Sequence, residues 1–352
     1  MGNSPLSCGT VTEQLIVITG AGASYDSTGI EPRDLNWQPP LVKELFAERA
    51  AFHPILDFYP DAQTLAPDLR VATRTGSVGL ETYLRDQVLR SPSAYDRRRY
   101  RAIPLYLQHL LHEVSEHYTT HPVNYDRLIN GVLRSANEVI FLTLNYDTIL
   151  DSRLEQHAHV RSLNDYIRPD FAWSLIKLHG SVDWARRIVG ANHASVDKTD
   201  LYLSEFVASL DDVPELSDEI ELRRTSVELL RRDTPHLYYP ALSVPLGPDD
   251  EFNCPESHLE FIRNRLVATD GLNILSVGYS GLDSGLLQLL ASSGNSIRSL
   301  FAVNHEGVSA LEAATRIATA FSDVAHPDMA YAGTFESFTQ SGGLEEYLTT
   351  LD

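Results

Sequence analysis

The chain has 352 residues, of which 43 % are hydrophobic and 22 % are charged, and its formal net charge at pH 7 is −20. This composition supplies a core for one large domain or two ordinary ones, which excludes a disordered chain, a collagen-like repeat and a small disulfide-stapled domain. The acidic balance also disfavours direct binding to nucleic acid or to an anionic membrane, because both carry negative charge.

The first predicted element is a short strand that runs into a glycine-rich turn. Residues 14–19 form a β-branched apolar run, and the segment Gly-Ala-Gly-Ala-Ser follows directly at residues 20–24. A buried strand, a tight turn and a helix open many α/β nucleotide-binding folds. The dinucleotide fingerprint G-x-G-x-x-G fails here at its third glycine, where Tyr25 stands, so a plain tight turn fits this segment equally well.

Helical periodicity replaces the strand pattern over the next hundred residues. Ile103, Leu107, Leu110 and Val114 recur at a spacing near 3.6 residues, with polar side chains on the opposite face. We therefore predict a helical insertion over about residues 39–137, between the first strand and the rest of the sheet.

Strand patterns return after residue 137 and alternate with helical ones, such as those at 217–231 and 258–268. This alternation is typical of an α/β fold with a doubly wound parallel sheet. We predict one Rossmann-like domain over residues 1–352, with a smaller insertion over about residues 185–235. The strand-like runs cover residues 138–144, 174–178, 237–239, 272–277 and 299–303.

Polar residues directly follow three of these predicted strands. Gly20 follows the first strand, Asn145 and Asp147 follow the second, and His179 follows the third. Ligands of open α/β sheets bind at the carboxyl ends of the strands, so these residues should meet in one crevice. Each polar residue also has a structural alternative: Asn145 could cap the next helix, and His179 could be a buried histidine without a catalytic role.

Other motifs do not meet the requirements of their chemistry. Residues 278–282 resemble the nucleophile elbow G-x-S-x-G, but Leu282 replaces the last glycine. His109 and His112 match neither zinc-protease order, and the chain contains no phosphate-binding G-x-x-x-x-G-K-[ST] segment. We therefore predict neither an esterase, nor a metal site, nor ATP hydrolysis.

Cysteine content and hydropathy favour a cytoplasmic protein. Cys8 and Cys254 are too few for a disulfide framework or a four-thiolate zinc site. No stretch reaches the roughly 18 apolar residues of a membrane span, and residues 1–8 show no basic segment followed by an apolar one. We expect a reducing compartment and no membrane contact.

Five short motifs follow the predicted strands in a fixed order. They are Gly-Ala-Gly-Ala-Ser at 20–24, Leu-Asn-Tyr-Asp at 144–147, Leu-His-Gly at 178–180, Gly-Tyr-Ser at 278–280 and Asn304 after the last strand. This series resembles that of the sirtuins. It looks most like the sirtuin-like NAD glycohydrolases of prokaryotic anti-phage defence.

The likeness to sirtuin deacylases is incomplete at three points. Deacylases hold a zinc ion with two C-x-x-C pairs, whereas Cys254 is the one cysteine between His179 and Gly278. Leu144 replaces a motif glutamine, and residues 29–33 keep only part of a phosphate-binding loop. The resemblance therefore implies hydrolysis of NAD, without a metal, rather than deacylation.

The resemblance also implies a role for each motif residue. Asn145 would position the ribose and the attacking water, His179 would act as a base or hold ribose hydroxyls, and Asp147 would accept from the nicotinamide amide. The phosphates and the adenosine of NAD would lie against the remaining motif residues, which are Gly20, Ala21, Gly22, Ser24, Arg33, Gly278, Ser280 and Asn304.

The implied activity releases nicotinamide and ADP-ribose, or a cyclised product, as a triggered NAD-depleting effector in anti-phage defence. Because such an activity is toxic when unregulated, we expect a homo-oligomer or a separate activating partner, for which the family offers ATPase and Argonaute-like proteins. Two other functions stay open. One is a non-catalytic module that binds NAD or ADP-ribose, and the other is an NAD-dependent deacylase or ADP-ribosyltransferase.

Overall fold

The computed structural model describes residues 12–28, 35–75, 99–118, 123–192, 214–224, 236–243, 252–305 and 307–351. Within these residues the chain forms nine strands. They are β1 (Thr12–Thr19), β2 (Ala136–Thr143), β3 (Trp173–Lys177), β4 (Gly180–Asn192), β5 (Leu216–Leu222), β6 (His236–Leu242), β7 (Leu272–Val277), β8 (Ile297–Val303) and β9 (Ala330–Tyr331).

Six of the strands form a parallel sheet in the order β3-β2-β1-β7-β8-β9. Counted within this sheet the order is 3-2-1-4-5-6, which is the doubly wound Rossmann order. The two central strands, β1 and β7, carry buried apolar residues on both faces, as a sheet covered by helices on both sides requires. The predicted fold class is therefore confirmed, and the strand order reverses between β1 and β7.

A second sheet holds the other three strands, which are antiparallel in the order β5-β4-β6. The strand predicted at 237–239 lies in this sheet as part of β6. The helix predicted from residue 217 is wrong over β5, whose Asp218 and Glu219 are exposed while Ile220 is buried. A charged edge strand of this kind offers few apolar residues from which its period could be recognised.

Eleven α-helices lie within the described residues. None of them is long and apolar enough to cross a bilayer. They are α1 (Ala21–Tyr25), α2 (Phe52–Asp57), α3 (Pro60–Thr75), α4 (Ala102–Tyr118), α5 (Val123–Ser135), α6 (Ile149–Leu154), α7 (Glu256–Ala268), α8 (Ser284–Ala291), α9 (Gly307–Ala320), α10 (Phe335–Gln340) and α11 (Gly343–Thr349).

The buried apolar residues form two clusters. The first covers the parallel sheet and includes the inner face of α5, with Leu128, Ile129 and Val132. The second joins α2, α3 and α4 to β4 and β6. Tyr146 packs in the second cluster, although it lies only three residues after the end of β2, which belongs to the first. The segment from Asn145 to Asp147 therefore lies between the two cores.

Candidate functional site

The loops that follow β1 and β7 are in direct backbone contact. The Gly20 N–H donates to the Val277 carbonyl (3.0 Å), and the Gly22 N–H donates to the Gly278 carbonyl (3.0 Å). A Cβ on Gly20 would lie 2.5 Å from the Gly278 oxygen, and a Cβ on Gly278, whose φ is +62°, would lie 2.0 Å from the Ala23 nitrogen. These glycines therefore allow two loops to touch at the point where the strand order reverses.

This contact engages the N–H groups of Gly20 and Gly22 within the protein. The Ala23 N–H is also engaged, because it donates to the Gly20 carbonyl (2.9 Å). Ala21 begins α1 and lies, partly exposed, between the two glycines. A phosphate at this turn would therefore approach Ala21 rather than bind to the glycine N–H groups.

Asn145 fixes the glycine turn from the end of β2. Its Nδ2 donates to the Gly20 carbonyl (2.9 Å) and to Ser24 Oγ (3.0 Å), and Ser24 Oγ lies 3.1 Å from the Tyr125 hydroxyl. Asn145 does not cap the next helix, because Asp147 Oδ1 accepts the N–H of Ile149 (3.1 Å) at the start of α6. The two bonds from Nδ2 fix the plane of the Asn145 amide.

Asp147 lies against a buried lysine at the end of β3. Lys177 has no exposed surface, and its Nζ donates to the Asp147 carbonyl (2.5 Å) and to Asp151 Oδ2 (2.8 Å). Burial raises the pKa of the Asp147 carboxyl, and the Lys177 ammonium and the Ser24 hydroxyl offset only part of this effect. Lys177 thus anchors the Asn145–Asp147 segment through its backbone.

His179 follows β3 and reaches the loop after β7. Its Nε2 lies 3.0 Å from Asp283 Oδ2. Its carbonyl accepts the Ser243 N–H (2.8 Å), and its ring centroid lies 6.2 Å from that of Tyr146. The next residue must be glycine, because Gly180 has a φ of +84° and a Cβ there would lie 1.9 Å from the Ala241 carbonyl oxygen. His179 is therefore held at the crevice by β6 and by Asp283.

His258 shows how a structural histidine differs in this chain. It is fully buried, its Nε2 lies 2.9 Å from the Leu163 carbonyl, and burial lowers its pKa to about 4. His179 is instead paired with a carboxylate and keeps 9 % of its surface exposed. The contrast favours the active-site interpretation of His179 over the structural alternative.

Sequence analysis missed two residues of this region, Asp283 and Ser243. Asp283 caps α8, since its Oδ1 accepts the Leu286 N–H (2.6 Å), and this cap was recognisable from the sequence. Its contact with His179 joins two distant loops, which local patterns do not reveal. Ser243 is 5 % exposed and, among the described residues, its Oγ has no hydrogen-bond partner.

The remaining predicted residues lie along the same edge of the sheet or outside the described residues. The Gly278 N–H donates to the Val303 carbonyl (2.8 Å), next to Asn304 at the end of β8. Asn304 Nδ2 donates to the Tyr279 carbonyl (3.5 Å), while Ser280 is exposed. Arg33 lies outside the described residues. The ligand-binding roles of all these residues stay predictions.

Comparisons with known proteins give matches among solved structures. No model of a protein family matches this chain, and no curated protein matches it. Among solved structures the chain is similar to a Sir2 homolog–NAD complex, with 12 % identity and a TM-score of 0.38 over 97 % of this chain and 91 % of that one.

Two further solved structures are similar over comparable lengths. A Sir2 homologue with ADP-ribose has 12 % identity and a TM-score of 0.38, over 96 % of this chain and 93 % of that one. A structure described as a basis for the mechanism and regulation of Sir2 enzymes has 15 % identity and a TM-score of 0.35, over 97 % and 94 %.

Proposed function

We propose that the protein is an NAD glycohydrolase. The observation that carries this proposal is that Asn145 binds the loop of Gly20 and His179 binds the loop after β7. These two loops touch at the carboxyl edge of the sheet, where the strand order reverses. Dinucleotides bind at this place in doubly wound sheets. The five motifs that resemble those of sirtuin-like NAD glycohydrolases follow the strands that meet at this edge.

The residues present also fit a polar, partly anionic substrate. The loops after β1 and β7 meet at glycines without side chains, so a diphosphate would approach the turn at the backbone of Ala21. Ser243, whose N–H donates to the His179 carbonyl, has a buried hydroxyl without a partner among the described residues, and a substrate hydroxyl would satisfy it. The net charge of −20 does not prevent binding, because the backbone at Ala21, where α1 begins, rather than a basic side chain would meet the phosphates.

The proposed reaction transfers the ribose of NAD from nicotinamide to water. The bond between ribose C1′ and the nicotinamide nitrogen breaks, and its electron pair leaves with nicotinamide, which becomes neutral. The water oxygen bonds to C1′, and His179 accepts the proton that the water loses. Because the leaving group is already cationic, no general acid is needed to expel it.

The other two predicted catalytic residues orient the substrate. Asn145 would direct its amide oxygen toward the ribose or the water, since its amide plane is fixed by the glycine turn. Asp147 would hold the nicotinamide carboxamide. The raised pKa of its carboxyl favours the protonated form more than in an ordinary aspartate, so this group could donate as well as accept.

The direct test is to incubate purified protein with NAD and to separate the products by chromatography. We expect nicotinamide and ADP-ribose, or its cyclised form, in equal amounts. NAD that binds without being consumed, with or without the product of a neighbouring gene, would replace the proposal with a non-catalytic binding module. If nicotinamide is released only when a protein or an acyl-peptide is added, the protein is a transferase or a deacylase.

We further propose, from the same resemblance, a triggered role in anti-phage defence in the cytoplasm. The trigger would act by homo-oligomerisation or through a separate ATPase or Argonaute-like protein, and not by direct binding of nucleic acid. Size-exclusion chromatography combined with NAD measurement tests this idea. Full activity of a dilute monomer without any partner would contradict it.

A further inference from the structure

Asp283 is placed to control the protonation of His179. It lies just beyond the Gly-Tyr-Ser loop of residues 278–280, and its Oδ2 is 3.0 Å from His179 Nε2. The two residues are 104 positions apart in the chain, so only the fold brings them together. None of the motif roles described above assigns a task to this carboxylate.

The carboxylate is held from several directions. Oδ1 accepts the Leu286 N–H (2.6 Å) as the N-cap of α8, while Oδ2 faces the imidazole. The Asp283 N–H donates to the Tyr279 hydroxyl (3.2 Å), which in turn lies 3.3 Å from the Asp283 carbonyl oxygen. Since both carboxylate oxygens are engaged, the direction of the bond to His179 is fixed.

This bond determines which ring nitrogen carries the proton. Burial alone would raise the pKa of the Asp283 carboxyl, but the hydrogen bond and charge of His179 and the Leu286 N–H outweigh burial and lower it. The group is therefore ionised at neutral pH and can only accept a hydrogen bond. Nε2 of a neutral His179 must then carry the hydrogen, which leaves the lone pair on Nδ1.

We propose that Asp283 is a positioning residue, which keeps His179 in the Nε2–H tautomer so that Nδ1 accepts the proton of the attacking water. This inference rests on the proposed function. In the proposed step Nδ1 gains the proton, the imidazole becomes an imidazolium, and Asp283 stabilises that cation without taking a proton itself.

At position 283 a carboxylate can both cap α8 and accept a hydrogen bond from His179. Asparagine and serine cap helices about as well as aspartate. An amide offers one acceptor oxygen, so an asparagine at this position could accept from Leu286 or from His179 but not from both. The cap alone therefore does not account for an aspartate, whereas the cap together with the imidazole contact does.

The tautomer of His179 is the first test, and it does not depend on any activity. Nitrogen-15 NMR of the full chain distinguishes the two neutral ring forms, and His179→Gln identifies the His179 signals among the 13 histidines. We expect a neutral ring protonated on Nε2. A neutral ring protonated on Nδ1 would overturn the proposal, and this result would be informative even if the protein hydrolysed no NAD.

The second test replaces Asp283 by asparagine, which retains a capping group and the side-chain volume. We expect kcat for NAD hydrolysis to fall about 10- to 100-fold, with KM changed less than about twofold, because a correctly oriented base acts in the transition state. The matched control is Glu256→Gln, which removes a carboxylate from the first turn of α7 without a histidine partner.

The pH profile separates positioning from a purely structural effect. Among the described groups near the His179 ring, Asp283 is the charged one, Tyr146 lies beside the ring, and Tyr279 contacts Asp283. Loss of the negative charge should move the acid limb of the kcat/KM profile of Asp283→Asn to lower pH. An unshifted acid limb together with a wild-type kcat in Asp283→Asn would contradict the proposal. An equal fall of kcat in Glu256→Gln would also contradict it, because the effect would then not be specific to Asp283.

Discussion

The side chain of Lys177 has no exposed surface, so its removal should lower the stability of the fold strongly. Its ammonium contacts the Asp147 carbonyl and Asp151, and Asp151 Oδ1 accepts the Tyr166 hydroxyl (3.0 Å). Lys177→Met would leave the Asp151 carboxylate buried without its cation, which typically costs about 3–5 kcal/mol. We expect urea unfolding of Lys177→Met to show this loss in the free energy of unfolding. A loss below about 1 kcal/mol would contradict a buried ion pair between Lys177 and Asp151.

The loop contact at Gly278 leads to a second prediction, with a matched control within the chain. Gly278 and Gly294 both have positive φ, of +62° and +73°, but in the described part of the chain no atom beyond the adjacent residues lies within 4 Å of a Cβ built on Gly294. Gly294→Ala should therefore cost only the backbone strain, about 1–2 kcal/mol. Gly278→Ala adds a clash with the backbone of Ala23, and should lose more stability as well as NAD binding.

Thermal unfolding and NAD titration of the two variants test this difference. Because Gly278→Ala must separate the loops after β1 and β7, its loss of stability should exceed that of Gly294→Ala. Equal losses of stability and unchanged NAD affinity in both variants would show that the interlocked loops are not required for the site.

The contact between β4 and α4 predicts a pH-dependent stability. Asp183 on β4 lies 3.8 Å from His112 Nδ1, and burial raises the pKa of its carboxyl to about 7, with the charge of Asp151 adding to the effect. In the unfolded chain the pKa of an aspartate is about 3.9. Between these values the folded state binds more protons, so the free energy of unfolding should fall as the pH rises from about 4 to about 7.

Asp183→Asn removes this titration without changing the size of the side chain. The gain in stability relative to the wild type should therefore be larger at pH 8 than at pH 5, as measured by urea unfolding at both values. A difference between variant and wild type that is the same at both pH values would rule out a raised pKa at Asp183.

The elements show where local patterns predict structure and where they do not. Gly20, Asn145 and His179 could be located from the sequence because each follows a strand whose apolar run is unmistakable. Asp283 and Ser243 could not be assigned to the site from the sequence, because their contacts with His179 depend on how separate loops meet. Likewise α5 has the same periodicity as α4, but packs with the parallel sheet rather than with the second core.

At the scale of the whole molecule, the candidate site lies where the two cores meet. The parallel sheet supplies the strand ends, and the second core holds Tyr146 and, through β6, the backbone of His179. Any change in the packing of α2, α3 and α4 should therefore reach the segment from Asn145 to Asp147. A protein that bound to the helices of the second core would therefore act on the site through this packing.

The central claim is that Asn145 and His179 act in one NAD-cleaving site. Its most direct test is the rate of nicotinamide release by the wild type, Asn145→Ala and His179→Ala, with the exposed His326→Ala as a control. We expect both site variants to lose at least about 100-fold in kcat, the size of a general-base or orientation effect, and the control to keep the wild-type rate. Release by Asn145→Ala and His179→Ala at the wild-type rate would contradict the assigned site.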